Sequence, residues 1–191
     1  MRVLFAGPAD SPVLAHLRKV EAAVSQTQRR LHVGDPRVRR ADFLVSHLYK
    51  HRVGPGVLGR FPGRAVNLHH ALLPWNRGLD SILWSVVDGT PKGVTIHHMD
   101  TGIDTGDIIA QRELRFAGTE TLKQAWARFE ADLLELFREC WPAIREGNCP
   151  ATPQPPGGSR HFGHERSRIV GRLVNGRDTT LADLAAGGRP Q

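Results

Sequence analysis

The sequence contains few cysteines and no long apolar run, and both absences limit what the protein can be. Only Cys140 and Cys149 among its 191 residues are cysteines, and their spacing matches no metal-ligand or redox motif. We therefore expect a reducing, cytoplasmic location. No apolar run approaches the roughly 18 residues that a membrane-spanning helix needs. The apolar patch after Met1 is too short for a signal peptide, so no membrane partner is expected.

The glycine-rich phosphate-binding motifs of nucleotide-binding folds are also missing. The segment after the first predicted strand reads AGPADSP (6–12) and contains neither G-x-G-x-x-G nor G-x-x-x-x-G-K-[ST], which argues against dinucleotide or ATP chemistry. The net charge of +7 favours an acidic ligand, such as a phosphorylated or polyglutamylated molecule. Because the arginines are spread along the chain rather than gathered in runs, the charge does not by itself indicate nucleic acid.

Predicted strands and helices alternate along the chain, which indicates an α/β fold with a mainly parallel sheet flanked by helices. The apolar runs predict strands at 2–7, 41–49, 65–69, 93–99 and 107–114. The helical patterns cover 11–22, 79–89 and 119–147, with at most one short helix in 54–63. Pro142 should bend or break the longest helix near its end. The last two strands, separated only by a turn, are expected to be antiparallel.

The C-terminal part of the chain has a different composition. From residue 148 onward it is rich in proline and glycine, followed by a short strand or helix at 168–174 and a short capped helix at 179–186. We therefore divide the chain into a catalytic domain over 1–150 and an extension over 151–191 that packs on the same domain. The final GGRPQ is expected to be disordered.

A polar pair within the third apolar strand indicates a site. Asn67 and His69 in VNLHHALLP lie two residues apart and therefore share a face of the strand. Asp104 lies in the turn-rich TGIDTG that follows another strand, and ligands bind beyond the carboxyl ends of strands in such sheets. The amide and a protonated His69 could donate to a developing oxyanion, and Asp104 could keep His69 charged and accept a proton. The structural alternatives to a site are that Asn67 and His69 are hydrogen-bonded within the core and that Asp104 is a solvent-exposed turn residue.

Other kinds of catalytic site find no support in the sequence. There is no serine or cysteine in a nucleophile-elbow setting, so direct acyl transfer through a tetrahedral intermediate suits the polar set best. No metal-ligand spacing appears, because His69–His70 and His97–His98 are adjacent pairs whose side chains on a strand point to opposite faces.

Two blocks, NLHHALLPWNRG and GVTIHHMDTGIDTGDIIAQ, together closely resemble the 10-formyltetrahydrofolate-dependent formyltransferases. That family includes glycinamide ribonucleotide transformylase, methionyl-tRNA formyltransferase, sugar N-formyltransferases and the formylation domains of nonribosomal peptide synthetases. Its pattern is N-x-H-x-x-x-L-P…G followed by G-x-[ST]-x-H…D-x-G. The matching positions here are Asn67, His69, Leu73, Pro74, Gly78, His97 and Asp104.

The resemblance implies a Rossmann-like formyltransferase fold, 10-formyltetrahydrofolate as co-substrate and a primary amine as acceptor. It implies Asn67, His69 and Asp104 as the catalytic residues, with His97 either supporting them or simply satisfied in the core. The residues implied to embrace the pterin ring are Tyr49, His51, Arg52, Val53, Thr101, Gly102 and Ile103. The loop after the catalytic strand supplies the candidate acceptor-binding residues Trp75, Asn76 and Arg77, of which the arginine could hold a phosphate.

The chain also departs from the family pattern. Only 66 residues precede Asn67, fewer than in full-length members, so the N-terminal half must be trimmed and its second strand-and-helix unit reduced to EAAVSQT (21–27) and a turn. In outline this is nearest to the compact formylation domain of peptide synthetases, although NRG…WS also resembles sugar N-formyltransferases. In a chain of 191 residues we expect no additional tRNA-binding domain, so nucleic acid is not expected as a partner.

The sequence therefore predicts an N-formyltransferase of specialised metabolism. Its acceptor would be an aminoacyl-carrier protein, an amino sugar nucleotide or a hydroxyornithine-type amine, and the carrier protein is a possible partner. The alternatives are a formyltetrahydrofolate hydrolase and a non-catalytic module that binds folate or nucleic acid. The sequence leaves open the acceptor, the oligomeric state and the role of 150–191.

Overall fold

The computed structural model describes residues 1–187, so nearly all of the C-terminal end that was expected to be disordered lies outside the described residues. The strands are β1 (Arg2–Ala6), β2 (Ala23–Thr27), β3 (Phe43–His47), β4 (Ala65–His69), β5 (Arg77–Gly78), β6 (Lys92–His98), β7 (Ile108–Leu114) and β8 (Arg160–His161). The helices are α1 (Pro12–Val20), α2 (Pro36–Arg40), α3 (Pro55–Leu58), α4 (Ser81–Val87), α5 (Leu122–Glu146), α6 (Ser167–Val170) and α7 (Leu181–Ala186).

Six of the strands form one mixed sheet in the order β2-β1-β3-β4-β6-β7. The pairs β1–β2, β1–β3 and β3–β4 are parallel. The connection over 99–107 between the neighbouring strands β6 and β7 is too short for a parallel crossover, so these two run antiparallel as predicted. The predicted α/β fold with a mainly parallel sheet is therefore confirmed.

The chain divides into two compact units, each assembled from separate stretches. The first contains Met1–His69, Ile96–Ala110 and Leu134–Gln154, and the second contains His70–Thr95, Gln111–Leu133 and the chain from Pro155 onward. Neither unit is one continuous segment, and the division of the chain at residue 150 stays a prediction.

In the first unit, the buried strands β1 and β3 pack beneath the C-terminal half of α5. The Trp141 ring meets Phe43 edge-on at 5.1 Å, and its Nε1 donates to the buried Glu21 carboxylate at 2.9 Å. Helix α5 continues through Pro142 to Glu146, so the expected break does not occur. Burial of Trp141 and Ile144 on both sides of Pro142 holds the last turn in place.

The trimmed N-terminal half has β2 inside the predicted 21–27 segment, but a short helix follows it where only a turn was predicted. That helix, α2, begins at Pro36 after Asp35, whose carboxylate accepts from the Arg37 backbone N–H at 2.9 Å. The Arg37 guanidinium also binds the same carboxylate at 2.7 Å. This cap compensates for the shortness of the helix, which could not be stable by propensity alone.

In the second unit, part of the C-terminal extension packs against α4. The His161 imidazole stacks on Trp84 with 4.0 Å between ring centroids, and its Nε2 lies 2.8 Å from an Asp88 carboxylate oxygen. Helix α7 is capped by Thr180, whose hydroxyl accepts from the Asp183 N–H at 3.1 Å, as the predicted capped helix requires. Among residues 1–187, no helix is long and apolar enough to cross a bilayer.

Candidate active site

The predicted polar set meets at the carboxyl end of β4 in the first unit. Asn67 and His69 lie on one face of that strand, and both reach Asp104, which lies in the loop between β6 and β7. The Asn67 amide nitrogen is 3.1 Å from one Asp104 carboxylate oxygen, and His69 Nδ1 is 3.7 Å from the other. The His69 side chain is 8% exposed and that of Asp104 16%, so this group is screened from water but reachable.

His97 completes the group and fixes how the Asn67 amide is turned. Its Nδ1 lies 2.8 Å from the His98 carbonyl oxygen, which can only accept, so Nδ1 carries the hydrogen. Its Nε2 lies 3.2 Å from the Asn67 amide nitrogen and 3.5 Å from Asp104. In the neutral imidazole, Nε2 therefore accepts from Asn67. Since the Asp104 carboxylate also only accepts, the amide nitrogen of Asn67 must face both partners.

The two segments implied to embrace the pterin also lie in the first unit, and one contact joins them. The Arg52 guanidinium donates to the carbonyl oxygen of Thr101. Val53 beside it is buried. The Tyr49 ring meets the His51 ring edge-on at 5.4 Å. Folate binding by these residues, and by Gly102 and Ile103 in the same loop, stays a prediction.

The hydroxyl of Tyr49 already has two partners in the chain. It donates to the Arg29 carbonyl at 2.8 Å and accepts from the Leu31 N–H at 2.9 Å. These bonds hold the loop after β2 against the loop after β3, so the hydroxyl is placed for support rather than for a ligand.

The three candidate acceptor residues lie in the second unit in different settings. Trp75 is 37% exposed, and the Arg77 guanidinium donates to the Gly157 carbonyl at 3.4 Å. Asn76 is fully buried, and its amide nitrogen donates to the Thr90 hydroxyl at 2.6 Å while its carbonyl accepts from the Ser159 hydroxyl at 3.2 Å. These bonds hold the loop through Asn76, whose backbone at φ +55° is typical of asparagine in a turn. Acceptor binding by Trp75, Asn76 and Arg77 stays a prediction.

Comparison with known proteins gives this site its context. Residues 10–137 match the family model of the formyl transferases. The formyltransferase PseJ from Anoxybacillus kamchatkensis, solved with UDP-4,6-dideoxy-4-formamido-L-AltNAc and tetrahydrofolate, is 37% identical, with a TM-score of 0.94 over 99% of this chain and 100% of that one. The chain belongs to the formyltransferase family.

More distant formyltransferases share the fold. A Mycobacterium tuberculosis protein, Rv3404c, which was uncharacterised and was proposed to be a sugar N-formyltransferase, is 27% identical, with a TM-score of 0.78 over 96% of this chain and 84% of that one. A 4-N formyltransferase from Francisella tularensis is 21% identical, with a TM-score of 0.72 over 96% of this chain and 75% of that one, and shows the fold alone. The predictions of a folate-dependent formyltransferase and of 10-formyltetrahydrofolate as its co-substrate are confirmed.

One residue that contacts the Asp104 loop was not predicted from the sequence. The Gln154 side chain donates to the backbone carbonyls of Asp104 and Gly106 at 2.8 and 2.9 Å. It comes from the proline-rich segment after α5, where a polar residue is ordinary. No local pattern distinguishes it from a solvated loop glutamine, because its partners lie about 50 residues earlier in the chain.

Proposed function

We propose that the enzyme transfers the formyl group of 10-formyltetrahydrofolate to the 4-amino group of a UDP-linked 4-amino-4,6-dideoxy sugar. The observation that carries this proposal is the 37% identity to PseJ over the full length of both chains, since PseJ was solved with the 4-formamido product of such a sugar and with tetrahydrofolate. The sugar N-formyltransferase function proposed for Rv3404c agrees with an amino sugar as acceptor.

The other predicted acceptors receive no such support. Neither PseJ nor Rv3404c is described with an aminoacyl-carrier protein or a hydroxyornithine-type amine. The net charge of +7 agrees with a nucleoside diphosphate sugar and an anionic folate as ligands. A cytoplasmic location stays part of the proposal.

The reaction follows from the chemistry of the polar group at the end of β4. The neutral amine nitrogen forms a bond to the formyl carbon, and the carbonyl electron pair moves to oxygen, giving a tetrahedral oxyanion. His69, kept protonated by the Asp104 carboxylate 3.7 Å away, and the amide of Asn67 donate to that oxyanion. Such preorganised donors contribute most because they are shielded from water.

Collapse of the intermediate needs two proton movements. Asp104, directly or through a water molecule, accepts the proton released by the attacking nitrogen. The carbonyl re-forms as the bond between the formyl carbon and N10 breaks, and N10 takes up a proton, which the protonated His69 can supply. The products are tetrahydrofolate and the formamido sugar, so no oxidant, reductant or covalent enzyme intermediate is required.

The experiment is tetrahydrofolate release from 10-formyltetrahydrofolate, followed optically with the purified protein and a panel of amines. The panel contains UDP-4-amino-4,6-dideoxy-L-AltNAc, a dTDP-linked amino sugar, hydroxyornithine and an aminoacyl-carrier protein. Release that depends on the UDP sugar and is abolished by Asp104→Ala supports the proposal. Release that depends only on another amine overturns the proposed acceptor, and release without any amine identifies a hydrolase.

A further inference from the structure

Asp104 has a backbone conformation that L-amino acids rarely adopt. Its φ is +52°, in the left-handed region that is unfavourable for most L-residues and that aspartate occupies where its surroundings hold it there. Within the loop, the Asp100 carboxylate accepts from the Gly102 N–H at 3.0 Å and from the Thr105 hydroxyl at 2.8 Å. These bonds all end on Asp100, and the one from Thr105 closes the loop across Asp104 without contacting the Asp104 backbone itself.

The peptide groups beside Asp104 are held from outside the loop by one side chain. Gln154 Nε2 donates to the carbonyl oxygens of Asp104 and Gly106, at 2.8 and 2.9 Å. An amide nitrogen has two hydrogens, one for each carbonyl, and the two carbonyls flank Thr105. The Gln154 amide therefore restrains the backbone at Asp104, the residue that carries the catalytic carboxylate.

Gln154 is itself well anchored within the same unit. Two residues earlier, Thr152 forms an isolated antiparallel bridge with Ile108 at the start of β7, with N–H to carbonyl distances of 2.8 and 2.9 Å. Pro153 and Pro155 flank the glutamine and fix φ on both sides of it. A short strap, residues 152–155, thus presents the Gln154 amide to the loop with little freedom.

We propose that Gln154 is a positioning residue of the formyl transfer. By fixing the left-handed backbone of Asp104, it holds the carboxylate 3.1 Å from the Asn67 amide nitrogen and 3.7 Å from His69 Nδ1. The proposal rests on the catalytic roles given to these three residues under the proposed function. It does not depend on which amine accepts the formyl group.

The first comparison is Gln154→Ala against Gln124→Ala, measured with whichever amine supports turnover. Gln124 is a matched control because its side chain also bonds a backbone group, accepting from the Thr121 N–H at 2.8 Å at the start of α5. Since displacement of a catalytic group by 1 Å can cost about 100-fold, we expect kcat to fall at least about tenfold in Gln154→Ala only. The acceptor KM and the Tm should match those of the control.

A second pair of variants separates positioning from a general loss of stability. The ammonium group of Gln154→Lys can donate to both carbonyls, so most of kcat should return, and its charge should move the acidic limb of the pH–kcat profile to lower pH. An ionised Gln154→Glu has no donor and should stay as slow as Gln154→Ala.

Two results overturn the role of Gln154: a kcat for Gln154→Ala within twofold of Gln124→Ala, or Lys and Glu variants that are equally slow at equal Tm. An active Asp104→Ala enzyme would instead refute the catalytic roles on which the proposal rests. The two failures are therefore distinguishable.

Discussion

Replacing Asp104 by asparagine removes its charge while keeping its shape, and we expect this to disable catalysis without disabling folate binding. The carboxylate lies 3.7 Å from His69 Nδ1 and both side chains are largely buried. Two unit charges at that separation attract by about 4 kcal/mol at an effective dielectric constant of about 20. At 1.36 kcal/mol per factor of ten, losing this support for a protonated His69 slows turnover by up to about 1,000-fold.

The assay pairs two measurements on Asp104→Asn. We expect kcat for tetrahydrofolate release to fall about 100- to 1,000-fold, which lies within the roughly 100- to 10,000-fold contribution of a general acid–base group. The Kd for 5-formyltetrahydrofolate should stay within about threefold, because an asparagine carbonyl can still accept from the Asn67 amide. Asp107→Asn is the matched control, as it removes one charge from an exposed position in the same loop. A kcat within tenfold of the control would refute the role of Asp104.

Three further changes test other parts of the molecule. Arg52→Ala removes the bond to Thr101 that joins the two predicted folate segments, so the Kd for 5-formyltetrahydrofolate should rise about tenfold with little loss of kcat at saturation; an unchanged Kd would contradict their joint role. Asn76→Ala leaves the half-buried hydroxyls of Thr90 and Ser159 without this side-chain partner and should cost about 2 kcal/mol in urea unfolding, about 1 for each hydrogen bond. A raised acceptor KM at unchanged stability would instead identify Asn76 as an acceptor ligand. Asp35→Ala removes the cap of α2 and should cost about 1 kcal/mol. The hydrogen bond from the Arg37 side chain lowers the pKa of Asp35 below 3.8 in the folded protein. The difference in unfolding free energy between wild type and Asp35→Ala should therefore be complete above pH 3.8 and vanish as the pH falls through the lowered pKa. A difference that persists in strong acid would contradict the role of the Asp35 charge.

The parts of the fold that the sequence predicted are those dictated by local pattern. Buried parallel strands are continuous apolar runs, and β3 (FLVSH) is buried along its whole length, as its composition requires. Side chains two residues apart on a strand share a face, and this rule alone predicts that Asn67 and His69 lie together. Both side chains contact Asp104 because parallel neighbours end at the same edge of the sheet, which is again a local rule applied to several strands.

The parts that the sequence did not predict depend on contacts between distant residues. The continuity of α5 through Pro142 depends on the burial of its neighbours, and the burial of Asn76 depends on Ser159 far along the chain. The small number of residues before Asn67 suggested a peptide-synthetase domain. Length proved a poor guide to acceptor class, because PseJ, solved with a UDP sugar, is covered over its entire length.

The hydrogen bonds of Asn67 add a condition that its position in the motif does not reveal. Without ligands, its two amide hydrogens point to His97 Nε2 at 3.2 Å and to Asp104 at 3.1 Å. If Asn67 is to donate to the formyl oxygen, one of these bonds must be exchanged. Because His97 Nε2 accepts from Asn67 only in the uncharged form of the ring, while the Asp104 carboxylate is a charged acceptor, the bond to His97 is the weaker of the two. The exchange is therefore expected on the His97 side. Asn67 keeps its hydrogen bond to Asp104, and the amide hydrogen that it donated to His97 Nε2 is donated to the oxyanion instead.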